Sequence, residues 1–113
     1  MSEIIQYRSG YKYQLTEPYW SQSNVTPSEE VVHGYFRIHP NGWFLIQAGY
    51  AWDGPSGPTF DTKSFMRGSL RHDMFYQAMS LGRLDRYWRE AADQDLRDCC
   101  RADGMSMLRA WWV

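Results

Sequence analysis

The sequence predicts an α+β fold, in which a small antiparallel β-sheet or meander packs on a C-terminal helical hairpin and a short third helix. Three observations support this prediction. Residues 1–50, within a β-rich part over 1–52, alternate between polar and apolar side chains. Residues 53–61 are rich in glycine and proline, and residues 62–113 carry apolar side chains at helical spacing. Because 113 residues are typical of one structural unit, we expect a single domain over 1–113.

The N-terminal half contains three segments with the pattern of β-strands, over residues 11–17, 31–38 and 42–52. Between the last two, the sequence HPNG combines a proline with an Asn-Gly pair, and both favour a tight turn. We therefore predict a β-hairpin at residues 39–42. Residues 21–30 are polar and contain a proline, which predicts an exposed loop.

The C-terminal half contains the signals that begin and end helices. A Ser/Thr cap near residue 62 begins the first predicted helix, and Gly82 ends it. Asp85 is a candidate cap for a second helix that continues to about Arg101, and residues 106–112 predict a short third helix. Because the connection around Gly82 is short, we expect the first two helices to be antiparallel.

Composition limits the classes of partner. The 12 Lys+Arg and 13 Asp+Glu give a net charge of −1, so no nucleic-acid partner is expected. No apolar run is long enough for a transmembrane helix, and the first ten residues lack the pattern of a signal peptide. The adjacent Cys99 and Cys100 cannot readily bridge each other, which favours a reducing compartment. Exposed aromatic side chains, among them Trp20, Trp111 and Trp112, would suit self-association or contact with other proteins.

The candidate catalytic residues lie on the two predicted helices. His72 and Tyr76 are four residues apart and share a helix face, and in an antiparallel pair Asp93 would face His72. A carboxylate on one imidazole nitrogen fixes the tautomer and raises the basicity of the other nitrogen, as a water-activating base requires. Asp73 points about a quarter-turn away, and with Asp53 it would supply oxygen ligands to a divalent cation such as calcium or magnesium.

The same residues also fit a structural interpretation. A buried histidine bonded to an aspartate is often a satisfied core pair, and Tyr76 would then be a packing ring with a hydrogen-bonded hydroxyl. Four arginines near these positions are expected to form ion pairs rather than to bind phosphate. The arginines are Arg67, Arg71, Arg86 and Arg89, and the expected partners are Asp85, Glu90 and Asp93.

Three short motifs occur in a fixed order: D-G-x-S-x-P at residues 53–58, H-D-x-x-Y at 72–76 and R-x-x-A-D at 89–93. As a set they resemble the pattern of a small uncharacterised protein family encoded by tailed phages and prophages. The resemblance implies a phage protein that is made in the host cytoplasm, with the virion as a further location and other phage proteins as partners. It implies no particular activity.

The order R-H-D-x-x-Y followed by a helical aspartate is also similar to the core of phospholipase A2, especially its small bacterial and fungal forms. This looser resemblance implies that His72 is the base for water and that Asp73 holds calcium. It also implies that Tyr76 and Asp93 orient His72.

Two functions follow as alternatives. The first is a hydrolase with a His/Asp site that cleaves an ester, lipid or cell-wall bond, with or without a metal ion. It requires His72 and Asp93 to border an open pocket, with Asp73 and Asp53 close together. The second is a non-enzymatic virion component or host-interaction protein. It requires the same residues to be buried and mutually hydrogen-bonded.

Overall fold

The structure is a computed structural model that describes residues 5–10, 12–53 and 63–102, with only the backbone described for residues 63–65. Within these residues, short strands occupy the N-terminal half and two helices the C-terminal half, so the α+β prediction is confirmed. The predicted third helix over 106–112 and residues 54–62 lie outside the described residues. The strands are β1 (Tyr7–Arg8), β2 (Tyr13–Leu15), β3 (Tyr19–Gln22), β4 (Val31–Val32), β5 (Phe36–Ile38), β6 (Trp43–Ile46) and β7 (Ala51–Trp52), and the helices are α1 (Lys63–Ser80) and α2 (Arg89–Ala102).

The described strands form two antiparallel sheets. The first has the order β1-β2-β7 and the second the order β3-β6-β5-β4. The segment predicted as one strand over 42–52 is therefore divided between the sheets, because Gly49 takes a φ of 98° and turns the chain between β6 and β7. The predicted loop over 21–30 was also partly wrong. Ser21 and Gln22 belong to β3, and Val25 is fully buried.

The predicted hairpin is present between β5 and β6. Phe36 pairs with Ile46 and Ile38 with Phe44, so the large apolar side chains of both strands lie on the buried face. Gly42 closes the turn with a φ of 92°, and a Cβ atom at this position would clash with the Ser23 carbonyl. A glycine is therefore required here both by backbone conformation and by space.

The helix boundaries follow the predicted signals. Gly82 has a φ of 73° and ends α1, as a glycine in the left-handed region commonly does. Asp85 accepts a hydrogen bond from the Tyr87 backbone N–H at 2.7 Å and caps one turn of 3₁₀ helix over Arg86–Trp88, which continues into α2.

The two helices are antiparallel and close together. Gly68 near the start of α1 lies against Leu96 and Cys100 of α2, and Tyr76, four residues before the end of α1, donates a hydrogen bond to Asp93. The absence of a side chain at Gly68 allows this approach. The predicted antiparallel arrangement is thus present, and it brings the polar residues of the two helices face to face.

The core lies between α1 and the second sheet. Leu70, Met74 and Phe75 of α1 are fully buried, and the Phe75 ring contacts the Phe44 ring edge-on at 5.5 Å. Burial of these side chains stabilises the docking of α1 on the sheet by about 1.5–3 kcal/mol for each large apolar residue. Neither helix in the described part of the chain has the length and apolar character that crossing a membrane requires.

Candidate functional site

One oxygen atom of Asp93 binds two side chains of α1. The His72 Nε2 atom lies 2.8 Å from Asp93 Oδ1, and the Tyr76 hydroxyl donates to the same oxygen at 2.6 Å. The His72 and Tyr76 rings also contact each other, with centroids 4.2 Å apart. This is the contact predicted from the four-residue spacing and the antiparallel helices. The structure brings these three sequence-predicted residues together.

The protonation states follow from these bonds. Burial opposes the ionisation of Asp93, but hydrogen bonds from Tyr76 and His72, with the charge of Arg89, lower its pKa below the ordinary value. Burial and the hydrogen bond to Asp93 raise the pKa of Tyr76 to about 12, so its hydroxyl stays protonated and acts as a donor. Because an ionised carboxylate only accepts hydrogen bonds, a neutral His72 must carry its proton on Nε2. Its Nδ1 atom then has a free lone pair, and no described residue donates to it.

The site is partly open to solvent. The side chain of His72 is 27% exposed and that of Asp93 is 39% exposed. Asp93 lines a cavity of about 780 Å³, and Tyr76 lines a second cavity of about 450 Å³, whereas the lining of these two cavities does not include His72. The arrangement is thus intermediate between the two alternatives: the residues are mutually hydrogen-bonded, but they are not sealed from water.

Asp73 has different neighbours, as its position a quarter-turn from His72 predicted. The Tyr50 hydroxyl donates to Asp73 Oδ2 at 2.6 Å and lies 2.8 Å from Gln77 Oε1. Burial raises the pKa of Asp73; the Tyr50 bond opposes this change, and the negative charge of Asp53 adds to it. Burial and the neighbouring Asp73 also raise the pKa of Tyr50. Tyr50 therefore remains a hydrogen-bond donor.

Asp53 and Asp73 both line the 450 Å³ cavity, but they do not complete a cation site. Asp53 is exposed and forms an ion pair with Lys12, at 3.3 Å between Nζ and Oδ1. Calcium takes about six to eight oxygen ligands, and the described residues contain no group of three or more potential ligands among His, Cys, Asp and Glu. The calcium or magnesium site stays a prediction, and the chemistry below is derived without a cation.

Arg71 forms a polar network that the sequence prediction missed. Its guanidinium binds both oxygens of Asp95, at 3.0 and 2.8 Å, and also donates to the Tyr19 hydroxyl and to Ser21 Oγ. Burial opposes the charge of Arg71, but Asp95 outweighs this effect and raises its pKa. Residues 71 and 95 are nearly in the register that pairs 72 with 93. That register was the signal in the sequence that would have located this ion pair.

The partners expected for Arg71 and Arg67 were wrong, whereas Arg89 interacts with Asp93, as expected, through its charge. Arg71 pairs with Asp95, and Arg67 donates to the Tyr19 hydroxyl at 3.2 Å. Arg86 and Arg89 form no ion pair with any residue in the described ranges, although the charge of Arg89 acts on Asp93. Both side chains are exposed. Tyr50 was also missed, since the prediction of one strand over 42–52 gave it no reason to reach α1.

Comparison with known proteins found no match to a protein-family model, to a curated protein or to a solved structure. The resemblances to a phage family and to phospholipase A2 stay predictions based on the motifs. Inferences about function consequently depend on the geometry of the described residues.

Proposed function

We propose that this protein is a phage-encoded hydrolase in which His72 is the general base for cleavage of an ester, lipid or cell-wall bond. One observation carries the proposal. A single oxygen of Asp93 binds His72 Nε2 at 2.8 Å and the Tyr76 hydroxyl at 2.6 Å, while the His72 side chain keeps 27% exposure. Water can therefore reach the ring that Asp93 orients.

The proposed reaction uses the free Nδ1 atom of His72. Nδ1 takes a proton from a water molecule as the water oxygen attacks the carbonyl carbon of the substrate. The imidazolium formed in this step is stabilised by the ionised Asp93. As the bond between the carbonyl carbon and the leaving group breaks, Nδ1 returns the proton to the leaving oxygen or nitrogen. Asp93 and Tyr76 are positioning residues, since they fix the tautomer and orientation of the ring.

The test is a comparison of His72→Ala with His39→Ala, a matched control at an exposed position of the hairpin. Both variants and the parent are assayed on acyl esters, phospholipid vesicles and purified cell wall, each with and without EDTA. We expect His72→Ala to abolish turnover with a nearly unchanged melting temperature, and His39→Ala to retain it. Loss of activity in EDTA would show that the reaction requires a divalent cation, as the predicted site at Asp73 and Asp53 implies.

The contrary result is also well defined. If the parent hydrolyses none of these substrates and His72→Ala lowers the melting temperature strongly, the residues form a structural network. Removal of one partner from a buried polar pair lowers stability by about 1–3 kcal/mol, which thermal unfolding detects easily.

The second candidate function is non-enzymatic: a virion component or host-interaction protein made in the host cytoplasm. The observation that favours it is Trp20, which is 61% exposed on β3 and lies opposite Leu45 on the outer face of the second sheet. Such a surface suits another phage protein or a second copy of this chain. Sedimentation of the parent and of Trp20→Ser tests this function. Self-association that the substitution abolishes would support it, and a monomer in both cases would remove the second copy as a partner.

A further inference from the structure

Two cavities meet at the residues that position His72. The 780 Å³ cavity includes Asp93 in its lining, and the 450 Å³ cavity includes Tyr76. Arg86 and Arg89 line both cavities. These two arginines therefore share a cavity lining with each of the residues that position His72.

The 780 Å³ cavity has an excess of positive charge. Its lining comprises Arg86, Arg89 and Arg97, together with the carboxylates Glu90 and Asp93 and the ring of Tyr87. Asp93 already accepts hydrogen bonds from His72 and Tyr76, so its negative charge is partly compensated. The guanidiniums of Arg86 and Arg89 form no ion pair within the described residues, so these two groups in the cavity can bind a negative charge.

Arg86 and Arg89 differ from three other arginines of the described ranges. Arg71 binds Asp95, Arg37 lies 3.6 Å from Glu30, and Arg83 donates to the Val32 carbonyl. Arg86 and Arg89 form no such bond within the described residues, and both face the cavities. Their guanidiniums can therefore bind a ligand, although the charge of Arg89 also acts on Asp93.

We propose that Arg86 and Arg89 bind an anionic group of the substrate, a phosphate or a carboxylate, in the 780 Å³ cavity. The planar guanidinium offers paired N–H donors that match the oxygens of both groups. Tyr87 is 79% exposed in the same lining and packs edge-on against Trp88, at 5.1 Å between ring centroids. Its ring provides an apolar surface for the part of the substrate next to the anion. The inference rests on the proposed hydrolase function, to which it adds a substrate class.

The test measures binding without turnover. Amide spectra of the ¹⁵N-labelled protein are recorded during titration with inorganic phosphate and, separately, with malonate, at an ionic strength held constant with sodium chloride. We expect saturable shifts centred on residues 86–97. Each of Arg86→Gln and Arg89→Gln is expected to weaken binding about three- to fivefold, as removal of one exposed ion pair does. Arg37→Gln, the matched control on the sheet, is expected to bind as the parent does.

The outcomes separate this inference from the proposed function. Saturable shifts with only one of the two anions, phosphate or malonate, identify the anion that the site binds and support the inference. Shifts that do not saturate, or that Arg37→Gln reduces as much as Arg89→Gln, overturn it. His72→Ala is expected to retain anion binding. If the parent protein binds anions but hydrolyses no substrate, the hydrolase proposal is overturned and the anion site stands. If the parent protein hydrolyses a substrate but binds no anion, the anion site is overturned and the hydrolase proposal stands.

Discussion

Arg71 and His72 are neighbours on α1, but they lie in opposite environments. The Arg71 side chain is 6% exposed and binds Asp95, Tyr19, Ser21 and the Gln22 carbonyl, and it also lies over the Phe44 ring. His72 is 27% exposed and has one described hydrogen-bond partner, Asp93. A group whose donors are all occupied holds the fold together, whereas a group with a free lone pair near solvent is able to react. The same helix pair therefore supplies a structural ion pair and, one residue away, a candidate for chemistry.

The largest expected effect comes from Arg71→Leu. The substitution leaves Asp95 buried without its cation, and breaking one side of a buried ion pair lowers the free energy of unfolding by about 3–5 kcal/mol. Urea unfolding compares this variant with His72→Ala, for which we expect a change of less than about 0.5 kcal/mol because its ring is partly exposed. Equal losses for the two variants would contradict the division between a structural and a reactive pair. The double variant Arg71→Leu/Asp95→Leu should recover part of the lost stability, because no unpaired charge then remains.

Gly68→Leu is expected to have an intermediate effect, because Gly68 sets the spacing of the helices on which both pairs depend. A Cβ atom at this position would lie 3.0 Å from Leu96 Cδ1 and 3.3 Å from Cys100 Sγ, so a larger side chain must push α2 away. Overpacking of this kind lowers the free energy of unfolding by about 1–3 kcal/mol. The spectral signals of His72 and Arg71 should change together. A variant with parental stability and unchanged signals would show that the small size of Gly68 does not determine the spacing of the two helices.

The smallest expected effect is that of Asp73→Asn. The raised pKa of Asp73 means that the folded state binds its proton more tightly than the unfolded state does. The free energy of unfolding therefore decreases as the pH rises from the ordinary aspartate pKa, near 4, through the raised value. Asparagine cannot ionise, so the variant should lose less stability over this range and be as stable as the parent at neutral pH, or slightly more so.

Thermal unfolding of Asp73→Asn between acidic and neutral pH measures this difference. Asp53→Asn is a useful control, since it removes a negative charge that raises the pKa of Asp73. It should also reduce the loss of stability between acidic and neutral pH, but by less than Asp73→Asn does. A clear loss of stability of Asp73→Asn at neutral pH would mean that the Tyr50 hydrogen bond outweighs the unfavourable burial of the carboxylate.

The features that the sequence predicted depend on local chemistry or on helical periodicity. The turn at Gly42, the helix end at Gly82 and the cap at Asp85 require only a few adjacent residues. The contact between His72 and Asp93 required one further assumption, a short antiparallel connection. These properties can be recognised without knowledge of the rest of the fold.

The features that were not predicted depend on contacts between distant segments. Alternation with a period of two identifies strands but does not say which strands pair, so the division of 42–52 between two sheets was not recognised. The contact of Tyr50 with Asp73 and that of Arg71 with Tyr19 connect the sheets to α1 across long stretches of sequence. The pKa of Asp73 was unpredictable for the same reason, since its partner and its burial come from another part of the chain.

The pairing of β2 with β7 has a consequence for the order in which the molecule assembles. Tyr13 pairs with Trp52 and Gln14 with Ala51, so this sheet requires closure of a long loop, whereas the β5–β6 hairpin and the α1–α2 pair form from neighbouring segments. Local contacts of the latter kind generally form faster than distant ones. We expect the contact between His72 and Asp93 to form early in folding. The pairing of β2 with β7, which precedes Asp53 in the chain, is expected to form late. A partly folded chain would then contain the His72–Asp93 pair before the 450 Å³ cavity lined by Asp53 has formed.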